Sequence, residues 1–409
     1  MIAPSSYGAL SATSANTIQG SRPGFTGQSG AKKLGFKIDN ITYSESEGNL
    51  SPLSSGVINY FNAGLSLNEF DVMSLTASDF SPTSDYADTD GDLAHLTTPF
   101  SMSPRTFVWK DRNGTTITNY NQTLGCGSNL NLPLTLRITL PNVKVRSRYG
   151  NPSESIPTPL VQEYKIGTAT GICFAKPNSL FWKPGYGTSG NSTNGGGYSS
   201  DFDPDWGFKA SASPKFPTTG FVGASFTLIM TSNASDYTFS SNKSAVVVDT
   251  TGKVTLKRKP SGAVTIKAVY KNDTNQVHYY TFNPMSVWVV PKSSTLMNYA
   301  SAKQSCRVES KIASRAQLTN SPQINHSGSG TSIPSNSFTR AVGGGVFGEW
   351  GWITGGSSGN YPGSQWDSSW NCYWTRDVHS SGNQFTVLSD NGTVSYVYTS
   401  YGCYVACLG

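Results

Sequence analysis

The sequence predicts a mostly β, multidomain chain. Short stretches in which apolar and polar residues alternate recur along it, separated by Gly, Pro and Asn, and few segments carry a helical period before Leu296. The length of 409 residues leaves room for several domains at about 100–200 residues each, every one large enough to bury its own core.

Residues 1–33 are rich in Ser, Gly, Ala and Thr without apolar periodicity and read as a flexible N-terminal arm. Residues 34–205 read as a β-rich N-terminal domain. Its strand candidates begin at Leu34 and include Thr106–Lys110, Leu134–Leu140 and Val143–Arg146, punctuated by Pro141-Asn142 and by Tyr149 to Pro152. A Cys126–Cys173 bridge would staple this domain and contribute about 2–4 kcal/mol. A Gly/Ser/Asn-rich linker covers residues 183–200. Residues 209–291 alternate most regularly, in Phe226–Met230, Ala245–Asp249, Val254–Leu256, Gly262–Tyr270 and Tyr279–Val290, which indicates a sandwich of short strands. After Pro291 the texture changes. Leu296 to Cys306 places Tyr299, Ala302 and Cys306 on one helical face, and Ser314 caps a short helix that runs to Thr319. The remainder is loop-dominated and rich in Gly, Trp and Tyr, ending in strand candidates Gln384–Leu388, Val394–Tyr398 and Cys403–Cys407.

Composition narrows the function. Charged residues make up 13% of the chain against about 25% in an ordinary soluble protein, and hydroxyls and amides take their place, as is common in exported proteins. The net charge of +6 is spread out. Its densest clusters, Lys253 with Lys257, Arg258 and Lys259, and Lys144 with Arg146 and Arg148, sit in strand-like stretches and read as solvated strand faces, so no nucleic-acid partner is expected. The six cysteines group two and four, without a C-x-x-C and with scattered histidines, which favours disulfides in an oxidising compartment over a metal site. No apolar run approaches the ~20 residues of a membrane-spanning helix, so no membrane insertion by this chain is expected. Met1-Ile2-Ala3-Pro4 does not open a signal peptide, which places any export leader outside this numbering. None of the common nucleophile-elbow, zinc-protease, P-loop or dinucleotide motifs occurs, and the expectation is that the chain is not an enzyme.

Two acidic groups are metal candidates. Asp85, Asp88, Asp90 and Asp92 form D-x-x-D-x-D-G-D, a spacing that suits a structural Ca²⁺ but lacks the closing Glu of an EF-hand loop. Asp201, Asp203 and Asp205 are a second group. No other cofactor is expected.

Three segments resemble known families. Tyr237 to Asn242, Val248-Asp249, Gly252-Lys253-Val254 and Gly262 to Ala268 resemble a group 2 bacterial immunoglobulin-like domain. Tyr299-Ala300 with Cys306, Ser314 to Thr319, Gly348-Glu349-Trp350-Gly351, Tyr373-Trp374-Thr375, Gly392 and Tyr404 to Cys407 resemble the C-type-lectin-like tip of intimin and invasin, which implies an α+β domain over residues 292–409. Pro141 to Val145, Thr170 to Cys173 and Asp201 to Pro204 resemble the N-terminal domain of a less characterised group of enterobacterial adhesins. The second resemblance implies the pairings Cys306–Cys407 and Cys372–Cys403. The membrane β-barrel that precedes the Ig-like domains of intimin and invasin has no counterpart in this sequence.

The resemblance implies an exported, secreted or surface-displayed adhesin of a Gram-negative bacterium. Its C-terminal module would bind a host-cell surface protein or glycan without covalent chemistry. The alternatives are a secreted effector exported through a separate outer-membrane barrel and a glycan-binding module using aromatic stacking. Calcium-dependent sugar binding is not expected, because neither the EPN/QPD nor the WND triplet of such lectins is present. Trp352, Tyr361, Trp366 and Trp370 lie in a Gly/Ser-rich loop that offers little burial, and exposed Trp and Tyr are typical interface anchors. They are therefore the expected contacts. Asp367 and Asp377 are their polar neighbours, and the family's use of an acidic residue toward an integrin metal extends to them as an implication.

Overall fold

The computed structural model describes residues 20–126, 130–180, 197–321, 337–369 and 371–409. The chain divides into two compact units, one formed by Met1–Gln122 with Leu130–Gly167 and the other by Thr123–Asn129 with Thr168–Gly409.

The first unit is built on a sheet in which Ile58–Phe61, Thr158–Thr168, Leu134–Val145, Thr106–Lys110 and Thr116–Ile117 lie side by side. The two strand candidates at Leu134 and Val143 are one strand, whose register shifts between Leu140 and Val143. Alternation decides the face that is covered: Leu134, Leu136, Ile138 and Leu140 are fully buried, and the residues between them are not. Trp109 and Tyr164, the cross-strand partners of Leu136, share that face, and Phe36 and Phe70 pack on their rings. The Tyr164 hydroxyl donates to the Leu34 carbonyl at 2.6 Å, and burial pushes its pKa up to about 12.

The arm expected over residues 1–33 is different where it is described. Gly24–Phe25 pairs with Tyr86–Ala87, and the Phe25 ring meets Phe80 and Phe100 edge-on. One aromatic anchor is enough to hold a segment whose remaining residues carry no pattern. Residues 1–19 lie outside the described residues.

The second unit opens with a sandwich. One sheet has the order Phe202–Asp203, Gly207–Lys209, Ile172–Pro177, Ser225–Met230, Lys253–Leu256, Val246–Val248. The other consists of Tyr237–Ser241, Val264–Tyr270 and Val277–Phe282. In the central strand of the smaller sheet Val264, Ile266, Ala268 and Tyr270 are buried at every second position. The sequence assigned everything up to residue 205 to the N-terminal domain, but Ile172–Pro177 pairs with Ser225–Met230 and so completes the sandwich. Short strands such as these have no core of their own. Phe202 and Phe208 bury themselves in that of the sandwich, where Phe208 stacks on Phe216 with centroids 4.5 Å apart.

A third sheet follows in the same unit, in the order Thr219–Gly220, Val287–Met297, Cys403–Leu408, Cys372–Ser380, Asn383–Leu388, Val394–Tyr398. Three helices accompany it: α1 (Tyr299–Ser305), α2 (Arg315–Leu318) and α3 (Gly345–Trp350). The Asn298 side chain accepts from the Ser301 amide to start α1, whose Tyr299 and Ala302 are buried together with the following Cys306. Ser314 and Gln317 form the capping box of α2. All six residues of α3 are buried, and no helical period marks this stretch. The disulfides are Cys126–Cys173, Cys306–Cys407 and Cys372–Cys403. Among the described residues no helix is long and apolar enough to cross a membrane.

Candidate partner-binding surface

The loop from Gly351 to Asn371 was expected to present aromatics to solvent, and for two of them the structure corrects this. Tyr361 is 0% and Trp366 3% exposed. Phe221 of the sandwich provides the reason, because its ring meets Tyr361, Trp366 and Trp350 edge-on at 5.5–5.6 Å. The loop's glycines tighten it instead of leaving it slack. A Cβ on Gly355 would stand 2.1 Å from the Trp366 carbonyl oxygen, so only glycine lets the two backbones meet there. The Gly355 amide donates to Asp367 O at 2.8 Å, the Tyr361 amide to Thr354 O at 3.0 Å, and the Tyr361 hydroxyl to Trp350 O at 2.5 Å. Trp352 is half-buried, and Trp370 lies outside the described residues.

The two acidic candidates are half-buried and committed to internal bonds. Asp377 accepts from the Arg315 amide at the start of α2 at 2.5 Å. Asp367 accepts from Ser369 Oγ at 2.9 Å and from Asn371 Nδ2 at 3.1 Å.

Beside the loop lies a group whose role the sequence reading missed. Glu349 in α3 is fully buried. Its carboxylate accepts from the Thr218 and Thr219 amides, from both their hydroxyls at 2.7 Å, and from the Gly343 amide at 2.8 Å. Burial pushes its pKa up, and the donors from Gly343, Thr218 and Thr219 work against that. Thr218 and Thr219 lead into the first strand of the third sheet, so this carboxylate ties α3 to the segment leaving the sandwich. Arg340, also fully buried, lies over the Phe202 ring at 4.7 Å and donates to Ser179 O at 3.1 Å. The signal for Glu349 was there to be read: a lone acid between Gly and Trp in an apolar run.

The exposed apolar residues of the third sheet lie elsewhere. Tyr398 is 72%, Val378 65%, Tyr401 58% and Leu296 49% exposed. Register places two of them, Val378 and Tyr398, at one end. Ser380 pairs with Asn383 and Asn383 with Tyr398, while Val378 pairs with Gln384. The Tyr401 amide donates to Tyr398 O at 2.8 Å, and a Cβ on Gly402 would touch Leu296 at 3.4 Å. The bond from the Thr399 amide to Gly382 O fastens this end, and the Cys372–Cys403 disulfide holds the chain two residues beyond Tyr401, at the other strand end where Cys372 pairs with Leu388. Exposed tyrosines on a braced backbone lose little side-chain entropy on contact, which suits them to noncovalent recognition.

Of the calcium candidates in the first unit, Asp88, Asp90 and Asp92 bring ligand oxygens within 4.8 Å of one another. Asp85 does not join them. It is largely buried and accepts from the Ser81 amide at 2.7 Å. Asp90 accepts from the Ser21 amide and hydroxyl, which hold its carboxyl below the usual range. In the other group, Asp203 turns its carboxylate to the amides of Asp205 and Trp206.

Residues 201–282 match the family model for invasin, domain 4. Over 198 residues the chain is 30% identical to the inverse autotransporter adhesin YeeJ of Escherichia coli (strain K12), a match that spans 47% of this chain and 7% of that protein. Among solved structures, invasin, a bacterial integrin-binding protein, superposes with a TM-score of 0.40 at 18% identity, covering 78% of this chain and 53% of its own. A C-terminal 282-residue fragment of intimin, solved with the intimin-binding domain of the translocated intimin receptor, superposes at 0.37 with 16% identity, covering 79% of this chain and 92% of its own. The chain thus carries a segment of the invasin domain 4 family and resembles the intimin/invasin-like bacterial adhesins.

Proposed function

We propose that this chain is the partner-binding end of a bacterial surface adhesin and that it engages a host-cell surface protein without covalent chemistry. The observation that carries this reading is the exposed apolar group at the hairpin end of the C-terminal sheet and the turn that follows it, where Val378, Tyr398 and Tyr401 stand in solvent. Its relative over 198 residues is named an adhesin. All six cysteines pair, as an oxidising extracellular setting favours.

The test is binding of the full chain to epithelial cells by flow cytometry, with the double substitution Tyr398→Ser and Tyr401→Ser as comparison. Loss of two aromatic anchors, each worth about 1–2 kcal/mol, lowers affinity at least about tenfold. The melting temperature stays within a degree or so, because both side chains are exposed. Unchanged cell binding by a folded double variant overturns the reading.

A further inference from the structure

The N-terminal unit contains a cleft of about 320 Å³ lined by Ser29, Lys33, Asp79, Phe80, Ser84 and Asp85. One wall is the turn of helix Gln28–Lys33, and the other is the turn Ala77–Asp79 with the chain that follows it. The floor is the Phe80 ring, wedged between Phe25 and Phe100 with centroids 5.5 Å from each. Gly30 passes so close that a Cβ there would meet Phe80 Cε1 at 2.6 Å, so backbone and bare ring meet without an intervening side chain.

The polar groups are half used by the fold. In Asp79, Oδ2 accepts from the Thr76 amide at 2.7 Å and from its hydroxyl at 3.0 Å. In Asp85, which is only 9% exposed, Oδ2 accepts from the Ser81 amide at 2.7 Å. Each carboxylate keeps a second oxygen to which no described residue donates. Lys33 Nζ donates to the Asp79 carbonyl, which anchors the ammonium at the rim. Ser29 and Ser84 are exposed hydroxyls that can both donate and accept.

A complementary ligand must therefore offer several donors and accept from hydroxyls and an ammonium, while the Phe80 ring, 5% exposed, closes the floor. Two carboxylates against one ammonium disfavour an anion. The volume is at the small end of the roughly 300–1,000 Å³ of ligand pockets, the scale of one or two sugar rings. We propose that this cleft binds a neutral saccharide, with Asp79 and Asp85 accepting from its hydroxyls and Ser29, Ser84 and Lys33 donating to it from the rim. The site is independent of the C-terminal surface.

The experiment is saturation-transfer NMR and calorimetry on the full chain. The probes are glucose, galactose and N-acetylglucosamine, with sialic acid as the anionic and spermidine as the cationic comparison. At least one neutral sugar saturates with a Kd of about 1 mM or tighter, and the charged probes bind at least tenfold more weakly. Ser84→Trp fills the cleft from an exposed position and removes the sugar signal while the circular dichroism is unchanged. Asp85→Asn weakens binding, and the Tyr398→Ser, Tyr401→Ser chain binds sugar as before. Three outcomes overturn the proposal: silence with all three neutral sugars, preference for sialic acid or spermidine, or undiminished sugar binding by folded Ser84→Trp.

Discussion

Phe221 in the sandwich and Trp366 in the C-terminal loop meet edge-to-face, with ring centroids 5.6 Å apart and planes at 84°. Trp366 also meets Tyr373 at 4.9 Å and Phe347 at 5.4 Å. A loop that looks like a solvent-facing platform is, at this residue, part of the core.

Trp366→Ala therefore destabilises the second unit. Emptying a buried indole site costs about 3–5 kcal/mol, so the urea midpoint of that unit falls well below that of the native chain. Any loss of cell binding follows the loss of fold. Trp366→Ala with an unchanged midpoint would return the loop to the surface.

What was legible in the sequence follows from which interactions are local. Alternation in Val264–Tyr270 and the Ser314 cap of α2 depend on near neighbours, and both were read correctly. The Cys126–Cys173 bridge was read from the grouping of the cysteines and the other two pairings from the family resemblance, and the structure has the same three. Burial of Tyr361 and Trp366 depends on Phe221, some 140 or more positions away, and glycine-rich composition suggested slack where it permits close packing. Helix α3 has two glycines and a β-branched Val among its six residues; tertiary burial, not propensity, makes it a helix. Tyr398 was read only as the end of a strand, because exposure cannot be told from alternation at a strand's last residue.

Glu349→Gln tests the carboxylate under Thr218 and Thr219. An amide offers one acceptor oxygen and points its NH₂ at groups that themselves donate. Each buried donor left without an acceptor costs about 1–3 kcal/mol, so a net loss of about 3 kcal/mol is expected by urea unfolding. Asp at this position shortens the reach and does not restore the native value. A loss below about 1 kcal/mol would show that water replaces the carboxylate, contrary to the burial seen here.

His278 gives the second unit a pH dependence. Its Nε2 lies 2.8 Å from Thr170 Oγ1, whose own proton goes to Gln276, and its ring lies edge-on to Tyr237. Burial lowers its pKa below the ordinary value of about 6.5. The unfolded chain then takes up a proton before the folded one does. The His278 contribution is fully present above about pH 6.5 and is lost as pH falls through the lowered value. His278→Gln, compared with the native chain at pH 7.5 and pH 5, should show a smaller drop in melting temperature on acidification. An equal drop in both removes His278 as the source.

The three disulfides rank by the chain they close. Cys306–Cys407 spans 101 residues, Cys126–Cys173 47 and Cys372–Cys403 31. Loop-closure entropy gives about 4.7, 4.0 and 3.7 kcal/mol for these spans. Paired alanine substitutions should lower the urea midpoint in that order, with about 1 kcal/mol between the extremes. The Cys372–Cys403 pair has a second consequence that the others lack, because it holds Cys403, where the chain leaves the Tyr398–Tyr401 turn. Its removal should weaken cell binding even under conditions where the chain remains folded, whereas removal of Cys126–Cys173 should leave cell binding intact. Equal effects of the two on binding would mean that the brace at Cys403 does not serve recognition.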